Sequence, residues 1–209
     1  WDDFAVQIED PQNGGEDENG VPIPSIFQLA YVNLPSAGID GIEAELSWAV
    51  NDAWQIDAML AWNDAEVSEA TELTLVDDLG REFVRPVEKG ARLPLTPDWS
   101  AALGIEWHSL GQLLNAQPFA RLDLAYVGEV VTNLEGFESI VGQAGAGIQD
   151  AYDTGDFRIG LEGKRWSGSL FVDNIWDERA VTFRSNRWAE PRESIIRPRT
   201  HGSQYRYRF

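Results

Sequence analysis

Cysteine is absent from the 209 residues, and histidine occurs only twice. The lack of cysteine excludes a disulfide framework, a thiolate nucleophile and the zinc or iron–sulfur sites that need thiolate ligands. Basic residues are also scarce, since 16 Lys and Arg stand against 35 Asp and Glu, a formal net charge of −19. This balance argues against nucleic acid as a partner, because phosphate recognition needs a basic face.

A continuous apolar run of about 20 residues, which a transmembrane helix requires, is missing as well. The longest uncharged stretch, residues 19–39, contains three prolines and several polar residues. No signal peptide opens the chain, whose first residue is Trp1, so we expect a mature product, a fragment or a split chain. A membrane-spanning strand remains open, because it needs only about 9–11 residues with apolar side chains at alternate positions.

Apolar and polar side chains alternate along much of the chain, and a period of two is the signature of a β-strand. The pattern predicts about eight strands, some of them long. The segments that carry it are Gly41–Val50, Trp54–Asn63, Trp99–His108, Phe119–Tyr126, Asp156–Lys164 and residues 204–209, with weaker ones at Trp1–Glu9, at Phe27–Asn33 running on into Gly41–Val50, and at Ser167–Phe183.

Two features favour a transmembrane β-barrel over a soluble antiparallel sandwich. Tryptophans stand at or near strand ends, where a membrane barrel carries its aromatic girdles. They are Trp48, Trp54, Trp62, Trp99, Trp107 and Trp166. The connections also alternate in length, as they do when one rim of a barrel faces the periplasm and the other the outside. The short ones are Asn51–Ala53, Ser109–Ala116 and Arg165–Gly168, and the long ones are Asp10–Ile23, Ser68–Arg92, Asn133–Ala151 and Ser185–Ser194.

Short motifs in the same order and spacing resemble the TonB-dependent receptors. Asn33 followed by Gly41-Ile42-Glu43 resembles the "N…G-[VI]-E" strand of that family, and Ala61–Ala65 resembles the strand after it. Leu93–Pro97 is similar to the "LP..P" segment that leads into the next strand. Leu170–Glu178 resembles the penultimate "v.NlfDe" strand, and Arg197–Thr200 followed by Gly202 resembles the start of the last strand.

The resemblance implies an all-β antiparallel transmembrane barrel of about 22 strands with a plugged lumen, of which residues 1–209 form the C-terminal portion. It implies that the N-terminal plug, the TonB box and about fourteen strands lie outside this chain, in the same or a separate polypeptide. Such receptors sit in the bacterial outer membrane, contact lipid and lipopolysaccharide, and take up a scarce nutrient with energy from the TonB complex. The nutrient is a siderophore, cobalamin, a saccharide or a similar compound.

The end of the chain resembles the closing strand of outer-membrane proteins, whose alternating aromatics are recognised during barrel assembly. The resemblance assigns this signal to Tyr205, Tyr207 and Phe209. Counting eight strands back from Phe209 places Trp1 near the periplasmic rim, on a strand that runs outward. Because unpaired backbone groups in lipid cost several kcal/mol each, both edge strands are expected to pair with strands outside this chain.

Charged residues on the polar side of the strands are predicted to face the lumen, where they contact neighbouring strands, the plug or a ligand. They are Glu43, Glu45, Asp57, Glu106, Arg121, Asp123, Arg158, Glu162, Lys164, Arg206 and Arg208. Arginine beside an aromatic ring suits an anionic or sugar-like ligand, so some outer-loop residues are ligand candidates. These are Arg81, Phe83, Arg85, Arg187 and Trp188.

Neither a catalytic residue nor a cofactor is predicted. No G-x-S-x-G motif occurs, and His108 and His201 fall on separate predicted strands. The acidic segment 10–20 has a calcium-loop composition but not the EF-hand spacing, so we assign it no metal. The alternative kept open is a complete eight-stranded outer-membrane barrel with a structural, adhesive or lipid-enzyme role.

Overall fold

The fold is known from a computed structural model, which describes residues 2–12, 26–76, 82–132, 134, 148–185 and 192–209. All regular structure in these residues is β, and no helix among them has the length and apolar character to cross a membrane. The described residues form fourteen strands. They are β1 (Asp2–Gln12), β2 (Ile26–Asn51), β3 (Trp54–Val67), β4 (Thr71–Val76), β5 (Glu82–Val87), β6 (Trp99–His108), β7 (Ala116–Val127), β8 (Val130–Val131), β9 (Ile148–Gln149), β10 (Tyr152–Gly163), β11 (Trp166–Asp173), β12 (Val181–Ser185), β13 (Arg192–Ile195) and β14 (Thr200–Tyr207).

Eight of these strands form one antiparallel sheet in the order β1-β2-β3-β6-β7-β10-β11-β14. The prediction of about eight strands is therefore confirmed. β1 and β14 are the two ends of the sheet, and no pairing joins them among the described residues. The complete eight-stranded barrel needs that pairing, so the observed sheet argues against it.

The connections alternate as the sequence predicts. β2–β3, β6–β7 and β10–β11 are joined by short turns at one end of the sheet, here called the short-turn rim. In the β2–β3 turn, the Asn51 side-chain oxygen accepts hydrogen bonds from the backbone N–H of Ala53 at 2.8 Å and Trp54 at 3.1 Å. The opposite end, the loop rim, carries three two-stranded hairpins inside the long connections, β4–β5, β8–β9 and β12–β13.

Cross-strand register sorts the side chains into an apolar and a polar face. Leu46 pairs with Ala58, and Ala58 pairs with Leu103, which continues the apolar face across three strands. Ile42 is 69% exposed and Leu170 is 62% exposed, so this face is not a packed protein core. A large apolar surface open to solvent in one layer of sheet is expected where lipid replaces water.

Two pairs of tryptophans mark the limits of the apolar face. Trp54 lies beside Trp107 with ring centroids 6.5 Å apart, and Trp62 lies beside Trp99 at 6.4 Å. Trp54 and Trp62 are eight residue steps apart along β3, which corresponds to about 27 Å in a strand. For a strand tilted by about 40° this spans about 20 Å of the membrane normal, close to the apolar band of about 25 Å in outer-membrane barrels.

The conventional hydrophobic core lies outside this band, at the loop rim. Hairpin β4–β5 and the segment after it fold against the outer ends of β2 and β3. The backbone N–H of Val67 donates to the Ala91 carbonyl and that of Leu93 to the Ala65 carbonyl, both at 2.9 Å. The buried side chains are Leu34, Ala37, Ala65, Val67, Leu73, Val87, Ala91, Leu93 and Leu134.

Two sequence expectations need correction. The Ser167–Phe183 segment is not one strand, because β11 ends at Asp173 where Asn174 takes a positive φ of 52°. The sequence also placed the start of the first strand, at Trp1, near the periplasmic rim, which is the short-turn rim of this sheet. This expectation is wrong for the described part of β1, which begins at Asp2. Asp2 lies opposite Ser36, and β1 pairs with the part of β2 nearest the loop rim. It therefore lies beyond Trp62 and Trp99, the tryptophan pair on the loop-rim side.

Candidate functional site

The polar face of the sheet forms a concave wall with a cleft of about 630 Å³ in it. Side chains from β2, β3, β6, β7 and β10 line this cleft, among them Glu45, Asp57, Arg121, Asp123 and Asp156. Register explains why they meet, since Glu106 pairs with Arg121 and Asp123 with Asp156 across neighbouring strands. The members of the predicted lumen-facing set that lie in strands of the sheet thus share a single face.

Arg121 is the centre of an ion-pair network in this wall. Its Nη1 donates to Glu106 Oε2 at 2.7 Å, while Nε and Nη2 donate to the Asp123 carboxylate at 2.7–3.0 Å. His108 Nε2 contacts the other oxygen of Glu106. Gly104 makes room for the pair, since a Cβ there would lie 3.0 Å from Arg121 Nη2. The side chains are about one-quarter to under one-half exposed, so each pair contributes about 1 kcal/mol or less in this open sheet.

Acidic groups dominate the wall on the side of β2 and β3. Asp57 accepts hydrogen bonds from Ser47 Oγ at 2.7 Å and Gln55 Nε2 at 3.2 Å. Glu43 and Glu45 are exposed and have no ion-pair partner within the described ranges. With these carboxylates on one face, this side of the wall is complementary to a basic surface.

The opposite side of the wall is basic. The Arg158 guanidinium lies 5.6 Å from the centre of the Phe171 ring and donates to Gln204 at 3.4 Å. Glu162 and Arg206 line a small cavity at the short-turn rim together with Arg165 and Arg208. Two members of the predicted set lie outside the strands of the wall, because β10 ends before Lys164 and β14 ends before Arg208.

The outer-loop ligand candidates are only partly described. Arg81, Arg187 and Trp188 lie outside the described residues, and so does most of the acidic segment, residues 13–20. Phe83 and Arg85 belong to β5, where they pair with Leu75 and Leu73 of β4. Their assignment as ligand contacts stays a prediction. In the part of the chain that the structure describes, no group of three or more His, Asp or Glu residues is placed to hold a metal.

A turn after β11 has a role that the sequence pattern did not reveal. Asn174 is 5% exposed and its side-chain amide donates to the carbonyls of Glu178 at 2.9 Å and Arg197 at 3.0 Å. Its Oδ1 accepts the N–H of Glu178 at 2.9 Å. Trp176 covers Gly155, where a Cβ would lie 2.5 Å from the ring. The asparagine of the "NlfDe" motif therefore ties the turn to the segment that leads into β14.

Asp177 in the same turn is expected to make the loop rim sensitive to acid. The Arg199 backbone N–H, at 2.9 Å, and the Arg179 guanidinium, at 3.0 Å, hold the pKa of this carboxyl below its ordinary value of 3.8. A lowered pKa favours the folded turn above pH 3.8, and this contribution disappears as the pH falls through the lowered value. The protection of the Arg199 amide against hydrogen exchange, corrected for the intrinsic rate at each pH, should fall over that range. In Asp177→Asn this acid dependence should be lost. An unchanged acid dependence in the variant would contradict the assignment.

The three predicted assembly residues lie at the free edge of the sheet. Tyr205 stacks on Trp166 with ring centroids 6.5 Å apart, and Tyr207 meets Phe209 edge to face at 5.3 Å. Tyr205 and Tyr207 lie opposite Gly168 and Trp166, on the apolar face. All three side chains are exposed in the described structure.

The sequence matches the family model described as "TonB dependent receptor-like, beta-barrel" over residues 2–175. Comparison with curated protein sequences gives no match. A family of receptors rather than enzymes confirms the expectation that the chain is not an enzyme.

Two solved structures share the fold. The ferric yersiniabactin uptake receptor FyuA from Yersinia pestis matches with a TM-score of 0.62 and 21% identity, over 83% of this chain and 24% of that one. The siderophore receptor PiuA from Acinetobacter baumannii matches with a TM-score of 0.61 and 17% identity, over 97% of this chain and 24% of that one. The chain thus spans about a quarter of the length of these receptors. Because the family model covers well over half of its residues, the chain belongs to the TonB-dependent receptor β-barrel family and its place is the bacterial outer membrane.

Proposed function

We propose that residues 1–209 are the C-terminal part of an outer-membrane transporter that takes up a scarce nutrient with energy from TonB. The N-terminal plug and the remaining strands complete the barrel from the same or a separate polypeptide. This chain supplies barrel wall and outer loops. The main observation that supports this proposal is the open sheet, whose apolar face is exposed and whose polar face bears an ion-pair network.

The edges of the sheet support a larger barrel. Residues 42–51 of β2 pair only with β3 among the described residues, and β14 pairs only with β11. Both edges fall within the tryptophan-bounded band, where unpaired N–H and C=O groups cost several kcal/mol each. In the complete barrel, strands outside this chain form the hydrogen bonds that these backbone groups need.

The charge of the wall suggests how it meets the plug. Glu43 and Glu45 lack ion-pair partners among the described residues, and Asp57 lies on the neighbouring strand of the same face. We infer that the plug presents lysine or arginine to this side of the lumen. TonB acts on the plug, so this chain takes part in transport by holding the plug until TonB pulls on it.

The transported nutrient is proposed only by class: a siderophore, cobalamin, a saccharide or a similar compound. Two receptors of the same fold are named for siderophores, which makes ferric siderophores the first compounds to assay. Arg81, Phe83, Arg85, Arg187 and Trp188 remain the outer-loop candidates for ligand contact. Lipid and lipopolysaccharide are the proposed partners of the outer surface.

Uptake by intact cells tests the proposal. The full-length receptor, expressed in a strain lacking its own siderophore receptors, should support uptake of at least one compound from a panel of ⁵⁵Fe-siderophores, labelled cobalamin and labelled oligosaccharides. Deletion of tonB should abolish that uptake without changing the amount of folded receptor in the outer membrane. Uptake that persists without TonB, or a correctly inserted receptor that takes up nothing from the panel, would contradict it.

A further inference from the structure

The turn between β6 and β7 differs in chemistry from the other two turns of the short-turn rim. Residues 109–115, which form this turn, contain no charged side chain, and neither do the first five residues of β7, in a chain where 24% of residues are charged. The β2–β3 turn, in contrast, contains Asp52, and the β10–β11 turn consists of Lys164 and Arg165. A turn that meets only water has no physical reason to lack charge so completely.

Three leucines in this turn are exposed. Leu110 is 77% exposed, Leu113 55% and Leu114 75%. Leu110 comes three residues after Trp107, which pairs with Trp54 at the short-turn rim. The apolar surface of the strands is thus continued past the girdle by the turn, which we call the leucine turn.

The strand register shows on which face of the sheet Leu113 lies. Its N–H and C=O exchange hydrogen bonds with Ala116 at 2.8 and 3.0 Å. Ala116 lies opposite Gly163 of β10, in the same series as Ala120 opposite Ile159 and Leu122 opposite Phe157. Cross-strand partners share a face, so Leu113 lies on the lipid-facing side rather than on the side of the lumen.

The tip of the turn holds leucine in a conformation that suits other residues better. Leu114 has φ 55° and Asn115 has φ 60°, the left-handed values of a two-residue hairpin turn. Asparagine and glycine fit such positions, whereas a branched side chain costs about 1–2 kcal/mol there. A leucine at this position opposes the local backbone preference, which calls for a compensating interaction of its side chain.

We propose that the leucine turn inserts into the periplasmic leaflet of the outer membrane and anchors the barrel wall in depth. Lipid is the occupant that the observations favour, because the turn continues the lipid-facing surface and has no charge with which to select a protein partner. Its leucines bury beside Trp54 and Trp107 at the boundary between acyl chains and headgroups. This inference depends on the membrane location and not on the transported nutrient.

Fluorescent labelling of single cysteines tests the insertion. The chain contains no cysteine, so Leu114→Cys and the control Asp52→Cys on the neighbouring short turn each add one thiol to these residues. The full-length receptor, with any other cysteine changed to serine, is labelled with an environment-sensitive NBD dye in phosphatidylethanolamine–phosphatidylglycerol liposomes. We expect the label at position 114 to emit at shorter wavelength and be quenched by doxyl-lipid, and the label at 52 to be quenched by iodide. Iodide quenching at both positions would overturn the proposal, as would blue-shifted emission at 114 without doxyl quenching, which indicates a protein partner.

A second variant separates anchoring from folding. Leu114→Asn suits the left-handed backbone, so the folded barrel should keep or gain resistance to heat. In the same background a label at Leu110→Cys should lose part of its doxyl quenching, because the turn has lost one of its anchoring side chains. Unchanged quenching at position 110 would show that Leu114 does not hold the turn in lipid.

Discussion

Changing Gly160 to alanine is expected to destabilise the folded barrel strongly, by about 3 kcal/mol. A Cβ at Gly160 would clash with the Gly168 carbonyl oxygen and would lie 2.8 Å from both the Phe119 ring and Ser169 Cβ. The first of these contacts is with backbone in the adjacent strand of the ladder, which cannot move aside without disturbing the β10–β11 pairing. The temperature at which the folded form is lost from detergent gels should fall.

Gly168→Ala is the matched control for this variant. It lies on the neighbouring strand, one residue pair away along the ladder, but its Cβ would meet only the rings of Trp166 and Tyr205 at 3.8 and 3.9 Å. These are ordinary van der Waals distances, so the expected change is within about 0.5 kcal/mol. Equal behaviour of the two variants would contradict the packing assigned to Gly160.

Replacing Tyr205, Tyr207 and Phe209 together with alanine is expected to remove most of the receptor from the outer membrane. Tyr205 and Tyr207 lie on the apolar face of an edge strand, where Tyr205 stacks on Trp166 and Tyr207 meets Phe209. Exposed rings at alternate positions on an edge strand suit recognition by strand addition, the mode in which a partner extends a sheet edge. The resemblance to the closing strand of outer-membrane proteins gives the same expectation.

Quantifying the receptor in outer-membrane fractions, with total expression measured in parallel, checks this assembly prediction. Gln204→Ala with Arg206→Ala is the control, because both residues lie on the opposite face of β14. The control should reach the membrane at nearly normal levels. Normal levels of the aromatic variant would contradict the assembly role.

The strands of the barrel wall were predictable from sequence because their pattern of apolar and polar residues depends only on neighbouring positions in the same strand. In β6 the predicted and observed bounds coincide at Trp99 and His108, since lipid on one face and polar side chains on the other force a strict period of two. The sequence pattern placed the residues of the Arg121 network on the correct face of the sheet, but it did not show which of these side chains contact each other. Its partner Glu106 lies on another strand, and only the register brings the two side chains together.

The loop rim was predicted less well for a different reason. Its hairpins are short, and their hydrophobic contacts, such as Leu73 and Val87 in the loop-rim core, are made with distant parts of the chain. The end of β11 was missed because Ile175 and Trp176 continue an apolar pattern through a turn. Only the φ and hydrogen bonds of Asn174 reveal that the strand has ended there.

The central claim, that lipid lies on one face of the sheet and the lumen on the other, is tested most directly by a spin-label scan of β10. Single cysteines at positions 156–159, 161 and 162 of the full-length receptor, reconstituted in liposomes, report their access to oxygen in lipid and to a nickel chelate in water. We predict that Phe157, Ile159 and Leu161 positions favour oxygen, whereas Asp156, Arg158 and Glu162 positions favour the chelate or are shielded from both reagents by the plug. Equal oxygen access along the strand, or the reverse alternation, would contradict the account.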